Sequence, residues 1–478
     1  MKILLAASEM IPFARTGGLG DVMEALPAAL QARGHDVSAV LPCYRGIRDH
    51  PGMPVQSTGI SLPVQIGAKR LDAEILETTD SNGVQVFFVR RDEYFDRGGL
   101  YGEDGQEYRD NAERFIYFSK AVVELARRLL PAPDIVHVHD WQTALVPVLI
   151  KDRRLPFKSV LTIHNLAYQG RFGASEFGLT NLPGHYFTAR GLEFYGDLNL
   201  LKGGILFADT VTTVSERYAR EIQTPEYGSG LDVVVREHVG KLKGILNGAD
   251  YRVWDPAHDP HLPKNYKAGK LEGKRVCREA LLAEHGLAAN PRGPVYMMVS
   301  RLAEQKGIDL LLPILDRLLA NDVRLVILGE GDPGYEREFL VASRRHAERF
   351  AFRKSMDDRF SHLIQAGADL TLLPSHFEPC GLTAMYALRY GTLPIARATG
   401  GLYEIIQDYD PAANLGNGFL FYDYRPEALW DAIVRAQGYF NNRKLWEAEM
   451  VRAMGCDFSW SRAVEAYEQV FERMLKAK

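Results

Sequence analysis

The run Phe377-Glu378-Pro379-Cys380-Gly381-Leu382-Thr383 sets a carboxylate and a thiol directly before what reads as a helix start. Backbone N–H groups at such a start attract phosphate, so the run can hold a sugar and its leaving group together. Glu378, between Phe377 and Pro379, has two readings: it takes sugar hydroxyls, or it caps the helix that follows, where negative charge is favoured. A helix N-terminus also lowers a thiol pKa, but no pairing His that would make Cys380 a nucleophile is evident from the sequence.

Two other loops carry fixed charge. In Arg15-Thr16-Gly17-Gly18-Leu19-Gly20-Asp21 the glycines allow close backbone approach and Arg15 supplies a cation, as a phosphate or a closely packed sugar requires; the plain alternative is a strand-to-helix turn. In Ser300-Arg301-Leu302 through Lys306-Gly307, Arg301 and Lys306 lie five residues apart and can converge on a diphosphate, or remain solvated surface charge. His137-Val138-His139-Asp140 puts two imidazoles on one face of a strand, but no further ligand has metal-site spacing, so no metal is expected. His164-Asn165 follows the apolar run Val160 to Ile163 and should sit at a strand end, facing substrate or packed in the core.

Short apolar runs alternating with amphipathic ones must position these loops, the pattern of a parallel sheet with crossover helices. Ile3 to Ala7, Val37 to Leu41, Asp134 to Val138, Val160 to Ile163 and Thr210 to Val214 read as strands of a first unit. Asp21 to Arg33 reads as a helix, with Val22, Leu26 and Leu30 on one face and Gly34 as its stop. After Asn247-Gly248 a polar, Pro-rich stretch reads as a domain crossing. The grammar then restarts with strands Val295 to Val299, Arg324 to Leu328, Leu370 to Leu373 and Leu393 to Ala396, and helices from Ile308 to Leu319 and up to Tyr390. Thr399-Gly400-Gly401-Leu402 echoes Thr16-Gly17-Gly18-Leu19. The expectation is an α/β chain of two doubly wound domains facing across a cleft: a first domain over 1–245, a second over 246–456, and a segment 457–478 whose helix crosses back to the first.

At 478 residues the chain is too long for one ordinary core. A hydrophobic content of 46%, 25% charged residues and a net charge of −4 fit a soluble globular protein without a nucleic-acid surface. Cys43, Cys277, Cys380 and Cys456 are too scattered for a disulfide framework or zinc site, which fits a reducing cytoplasm. Glu9 ends the first apolar run too early for a signal peptide, and no run has the roughly 18 apolar residues of a membrane span. A soluble, unprocessed protein is expected.

Over nearly its whole length the chain resembles the bacterial glycogen synthases of the starch synthase type, retaining glucosyltransferases of GT-B-like fold with two Rossmann-like domains. The likeness rests on Thr16-Gly17-Gly18-Leu19 with Asp21-Val22, His139-Asp140-Trp141, Thr162 through Gly170, Ser300 through Gly307, and Phe377 through Thr383. It implies transfer of glucose from ADP-glucose, with UDP-glucose possible, to the non-reducing 4-hydroxyl of an α-1,4-glucan, without cofactor or metal. It implies Glu378, His164, Arg301 and Lys306 as catalytic residues. Arg15, Gly17, Gly18, Asp21, Asp140, Asn165, Cys380, Gly381, Leu382 and Thr383 would bind the donor, and Met356 would lie at the nucleobase. In this likeness the leaving phosphate helps deprotonate the acceptor, and domain closure excludes water. Arg15 stands where the family has Lys, Met356 where it has an aromatic residue, His376 where it has Arg and Ala384 where it has Gln. The alternative is another retaining nucleotide-sugar glucosyltransferase, using UDP-glucose or a trehalose-type acceptor.

Overall fold

Ile3, Leu4, Leu5 and Ala6 have no exposed surface, as a strand covered on both faces requires. In the computed structural model, which describes residues 1–476 apart from Asp104, Met356, Pro411 and Asn414, they lie in β1 (Lys2–Ala6). Two compact units are present: Met1–Asn247 with the last helix, Trp460–Lys476, and Gly248–Ser459.

The first unit is built on a nine-stranded sheet. After β1 come α1 (Gly18–Ala32), β2 (Asp36–Pro42), β3 (Gln56–Ile66), β4 (Lys69–Thr79), β5 (Gln85–Arg90), β6 (Ile135–His139), β7 (Lys158–Ile163), β8 (Thr210–Thr213) and β9 (Leu242–Gly244). The spatial order is β9-β8-β7-β6-β1-β2-β5-β4-β3, parallel from β9 to β5. Strands β3 and β4 add an antiparallel edge to the parallel strands that the apolar runs marked. Leu62, Val64 and Ile66 are buried at period two between exposed residues, and Pro63 is tolerated because β3 is the sheet edge.

Val22, Leu26 and Leu30 are buried as expected, and Gly34 ends the turn after α1 at φ +88°. The helix begins at Gly18 rather than Asp21, because Gly17 takes the N-cap position. The last helix presents Trp460, Val464, Tyr467 and Phe471 to the core of this unit, and its Glu468 pairs with Arg33 at 2.7 Å.

The second unit carries β10 (Val295–Val299), β11 (Arg324–Leu328), β12 (Phe350–Arg353), β13 (Leu370–Leu373), α2 (Leu382–Arg389), β14 (Leu393–Arg397), α3 (Gly400–Ile405) and β15 (Phe419–Phe421). Its all-parallel sheet has the order β12-β11-β10-β13-β14-β15. The helix expected from Ile308 to Leu319 is split by a 3-10 turn at Leu312–Ile314, where Pro313 removes a backbone donor. Among the described residues no helix is long and apolar enough to cross a membrane.

Candidate active site

Both sheets change direction at one strand. In the second unit β10 pairs with β11 on one side and β13 on the other, so a crevice opens beyond the C-terminal ends of β10 and β13. The Lys306 loop leaves β10 there and the Glu378 loop leaves β13. The two are tied by backbone: the His376 N–H donates to the Gln305 carbonyl at 2.8 Å, and Gln305 Nε2 donates to the Phe377 carbonyl at 3.2 Å. Gly307, at φ +67°, lies so close to the Pro374 carbonyl that a Cβ would overlap it.

Lys306 Nζ donates to Glu378 Oε2 at 2.7 Å, and Ser375 Oγ donates to the same oxygen at 2.9 Å. Glu378 therefore does not cap α2. That helix starts after Gly381, at φ +97°, and no side chain caps it, so its first-turn N–H groups are open to an anion. Lys306, Glu378, Gly381, Thr383, Ser300 and Ser375 line a pocket together with Met298 and Leu372. Ser300 Oγ is buried there without a hydrogen-bond partner among the described residues. A cation, a paired carboxylate, hydroxyls and an uncapped helix start can together hold a phosphate and a polyol.

In the first unit the direction changes at β1, which pairs with β2 and β6. Beyond β6, Asp140 takes the left-handed conformation at φ +57°, and its carboxylate accepts the backbone N–H groups of His164, at 2.7 Å, and of Asn165. Burial pushes the Asp140 carboxyl up to about 7 against those two hydrogen bonds. His139 Nδ1 lies 2.9 Å from His164 Nε2. His137 Nε2 lies 2.6 Å from Thr162 Oγ1, which lies 2.7 Å from Thr212 Oγ1. Burial lowers the His137 and His164 pKa values to about 3 and holds that of His139 well below the ordinary imidazole range, so the three imidazoles are neutral at pH 7. No group of three or more His, Cys, Asp or Glu among the described residues is arranged to hold a metal ion.

The glycine-rich loop is braced from within. Glu9, 4% exposed, accepts the Thr16 N–H at 2.6 Å, the Thr16 hydroxyl at 2.7 Å, the Gly17 N–H at 3.1 Å and the Tyr101 hydroxyl at 2.6 Å. Two of the donors that could have met an anion are thereby taken by a protein carboxylate. Arg15 lies on the exposed side with Asp21 at 3.3 Å.

The expected residues thus fall into groups. Lys306 and Glu378 bond directly, and Gly381 and Thr383 share their pocket. His164, Asp140 and Asn165 form one turn, while Arg15, Gly17, Gly18 and Asp21 form the loop at the start of α1. Arg301 is exposed next to Ser300, Cys380 is 8% exposed, and Leu382 is the first residue of α2. Met356 lies outside the described residues. Among the departures, Ala384 is buried in α2 and the His376 ring lies 4.6 Å from that of Tyr424. The echo Thr399-Gly400-Gly401 has a packing role: a Cβ at Gly400 or Gly401 would overlap the Glu378 or Cys380 carbonyl. Sequence reading missed Ser375, Glu9 and His139 as supports. The available signals were a hydroxyl three residues before Glu378 and a carboxylate at the end of an apolar strand.

Residues 2–237 match the starch synthase catalytic domain, and residues 284–437 match the glycosyl transferases group 1 domain. A glycogen synthase from an Anaeromyxobacter species is 46% identical over 99% of both chains, and one from Opitutus terrae is 42% identical over 99% of this chain and all of that one. The catalytic domain of starch synthase IV from Arabidopsis thaliana, solved bound to ADP and acarbose, superposes with a TM-score of 0.93 at 35% identity over 99% of both chains. Two Rossmann-like units, each with its chemistry beyond the strand ends, and likeness along the whole length lead to one conclusion: this chain belongs to the glycogen synthase family of glycosyltransferases.

Proposed function

We propose that the protein transfers glucose from ADP-glucose to the non-reducing 4-hydroxyl of an α-1,4-glucan with retention of configuration. The observation that carries this reading is the pocket in which Lys306, Ser375 and Glu378 are bonded together beside the uncapped start of α2. The ADP and acarbose of the Arabidopsis relative support a nucleotide donor and a glucan acceptor.

Lys306 and Arg301 hold the donor diphosphate, assisted by the N–H groups of Gly381, Leu382 and Thr383. Lys306 and Ser375 occupy one oxygen of Glu378 and leave Oε1 for glucose hydroxyls, with Cys380 beside it. As the glycosidic bond to phosphate breaks, negative charge grows on the diphosphate next to Lys306, so the cation stabilises the transition state more than the ground state. The acceptor 4-hydroxyl attacks the face the phosphate leaves, and its proton passes to the departing phosphate oxygen. No enzymic nucleophile is needed, in keeping with a Glu378 oxygen already bonded twice. His164, Asp140 and Asn165 are assigned to the sugar, and Arg15, Gly17, Gly18 and Asp21 to the donor. Met356 is assigned to the nucleobase by its place in the sequence. No disulfide links the four cysteines, which is compatible with a cytoplasmic protein.

The test is nucleotide release from ADP-glucose and UDP-glucose, each with and without glycogen, in the presence of a chelator. Glycogen-dependent ADP release, with UDP-glucose poorly used, is expected. Release from neither donor, or release independent of glucan, overturns the reading.

A further inference from the structure

We propose that His139 is a positioning residue that fixes the tautomer of His164, holding its proton on Nδ1, so that His164 meets its ligand as a hydrogen-bond donor. The second part of this inference rests on the assignment of His164 to the sugar site.

His139 ends β6 and pairs in register with Thr162 of the adjacent β7, so its ring meets that of His164, just beyond β7. The His139 backbone is clamped: its N–H donates to Thr143 Oγ1 at 2.9 Å, and the same hydroxyl donates back to the His139 carbonyl at 2.7 Å. The ring itself is wholly buried, against His137 at 4.3 Å between centroids.

The 2.9 Å contact between His139 Nδ1 and His164 Nε2 has room for one proton. With both rings neutral, there are two ways to place it. If His164 Nε2 donates, His139 must carry its own proton on Nε2, an atom that is buried and has no partner among the described residues. If His139 Nδ1 donates, the same Nε2 is a bare acceptor. An orphaned buried N–H is rarer in folded proteins than an under-satisfied acceptor, so the second arrangement wins. His164 then accepts at Nε2 and carries its proton on Nδ1, which has no hydrogen-bond partner among the described residues and is not among the buried, unpaired atoms. His164 therefore offers a ligand oxygen an N–H, and it is not a base.

The test reads the tautomer directly. Long-range proton–nitrogen correlation spectra of the full-length, ligand-free protein labelled with 15N-histidine, with His164 identified by the signal lost in His164→Ala, should show His164 protonated at Nδ1. Protonation at Nε2 overturns the proposal. In His139→Leu the two tautomers of His164 should mix and kcat should fall by about tenfold, with donor KM little changed. His139→Asn, whose amide can donate from near the Nδ1 position, should restore both the Nδ1 tautomer and most of kcat. An unchanged tautomer in His139→Leu removes His139 as its cause. A changed tautomer with wild-type kcat would leave the assignment of the proton standing and sink the placement of His164 at the sugar.

Discussion

The two units use the C-terminal ends of their parallel strands for opposite electrostatics. Beyond β10 and β13 the second unit keeps its charges and bonds them: Lys306 to Glu378 at 2.7 Å, with Ser375 on the same oxygen. Beyond β6 and β7 the first unit suppresses charge, with His164 and His137 held neutral by burial and the Asp140 carboxyl raised to about 7. A diphosphate leaving group needs a fixed countercharge, and an ion pair close to the pocket can be redirected to it. A sugar face needs oriented but uncharged donors, which do not compete for the departing charge. Topology supplies the location, and burial decides which chemistry it can support.

The comparison breaks most readily in the charged unit. Glu378→Gln should lower kcat by about 10³-fold while circular dichroism and thermal unfolding stay near wild type, because the amide carries no negative charge to pair with Lys306 and turns the second oxygen into a donor. Near wild-type turnover would show that the second unit's charge is structural. Lys306→Ala should cost about 10²-fold in kcat/KM for the donor, and added salt should weaken the wild type far more than this variant. Equal salt dependence would remove Lys306 from the diphosphate.

Effects in the first unit should be smaller and mainly geometric. Glu9→Leu leaves two loop N–H groups and two hydroxyls without their acceptor, so it should destabilise the unit by about 1–3 kcal/mol and raise donor KM. Glu9→Gln, which keeps one acceptor oxygen, should fall between it and wild type. An undisturbed thermal midpoint in Glu9→Leu would mean that the loop does not depend on its internal brace.

The smallest effect is in pH. His137, His139 and His164 take up protons near 6.5 when unfolded but resist them when folded, so they withdraw stability from the first unit as pH falls below about 6.5, each by up to about 1.4 kcal/mol per pH unit. Asp140, with its pKa raised, has the opposite sign over much of the same window and offsets one of the three. In the second unit, His285 is lowered and Glu449 is raised to about 7, so the two act with opposite signs. Peptide-resolved hydrogen exchange at pH 7 and pH 5, corrected for intrinsic rate, should show β6 and β7 losing protection more than β10 and β13. Equal losses would erase the electrostatic contrast.

Much of this was legible in the residues. β11 and β13 lie where their apolar runs predict, and the three charged or glycine-rich loops follow strands as expected, because burial on both faces of a parallel strand leaves an uninterrupted apolar run. The β3–β4 hairpin was not legible. Its strands alternate buried residues with polar or charged ones, and Gly59 and Pro63 interrupt the pattern as they would in a loop. The start of α1 at Gly18 was equally hidden, since glycine gives no helical signal of its own.

By itself the sequence determined which segments become strands, which loops carry a cation, a carboxylate or paired glycines, and which family the chain resembles, because these depend on neighbouring residues and local backbone preference. Only the tertiary structure decided who bonds to whom. Lys306 and Glu378 are 72 residues apart and meet because β10 and β13 are adjacent strands. His139 meets His164 through the register of β6 against β7, and Glu9 turns onto Thr16 and Gly17 rather than to solvent. Strand order and register are properties of the whole sheet, and desolvation exists only once the sheet is covered. The charge state of Asp140 and the proton position on His164 therefore had to wait for the fold.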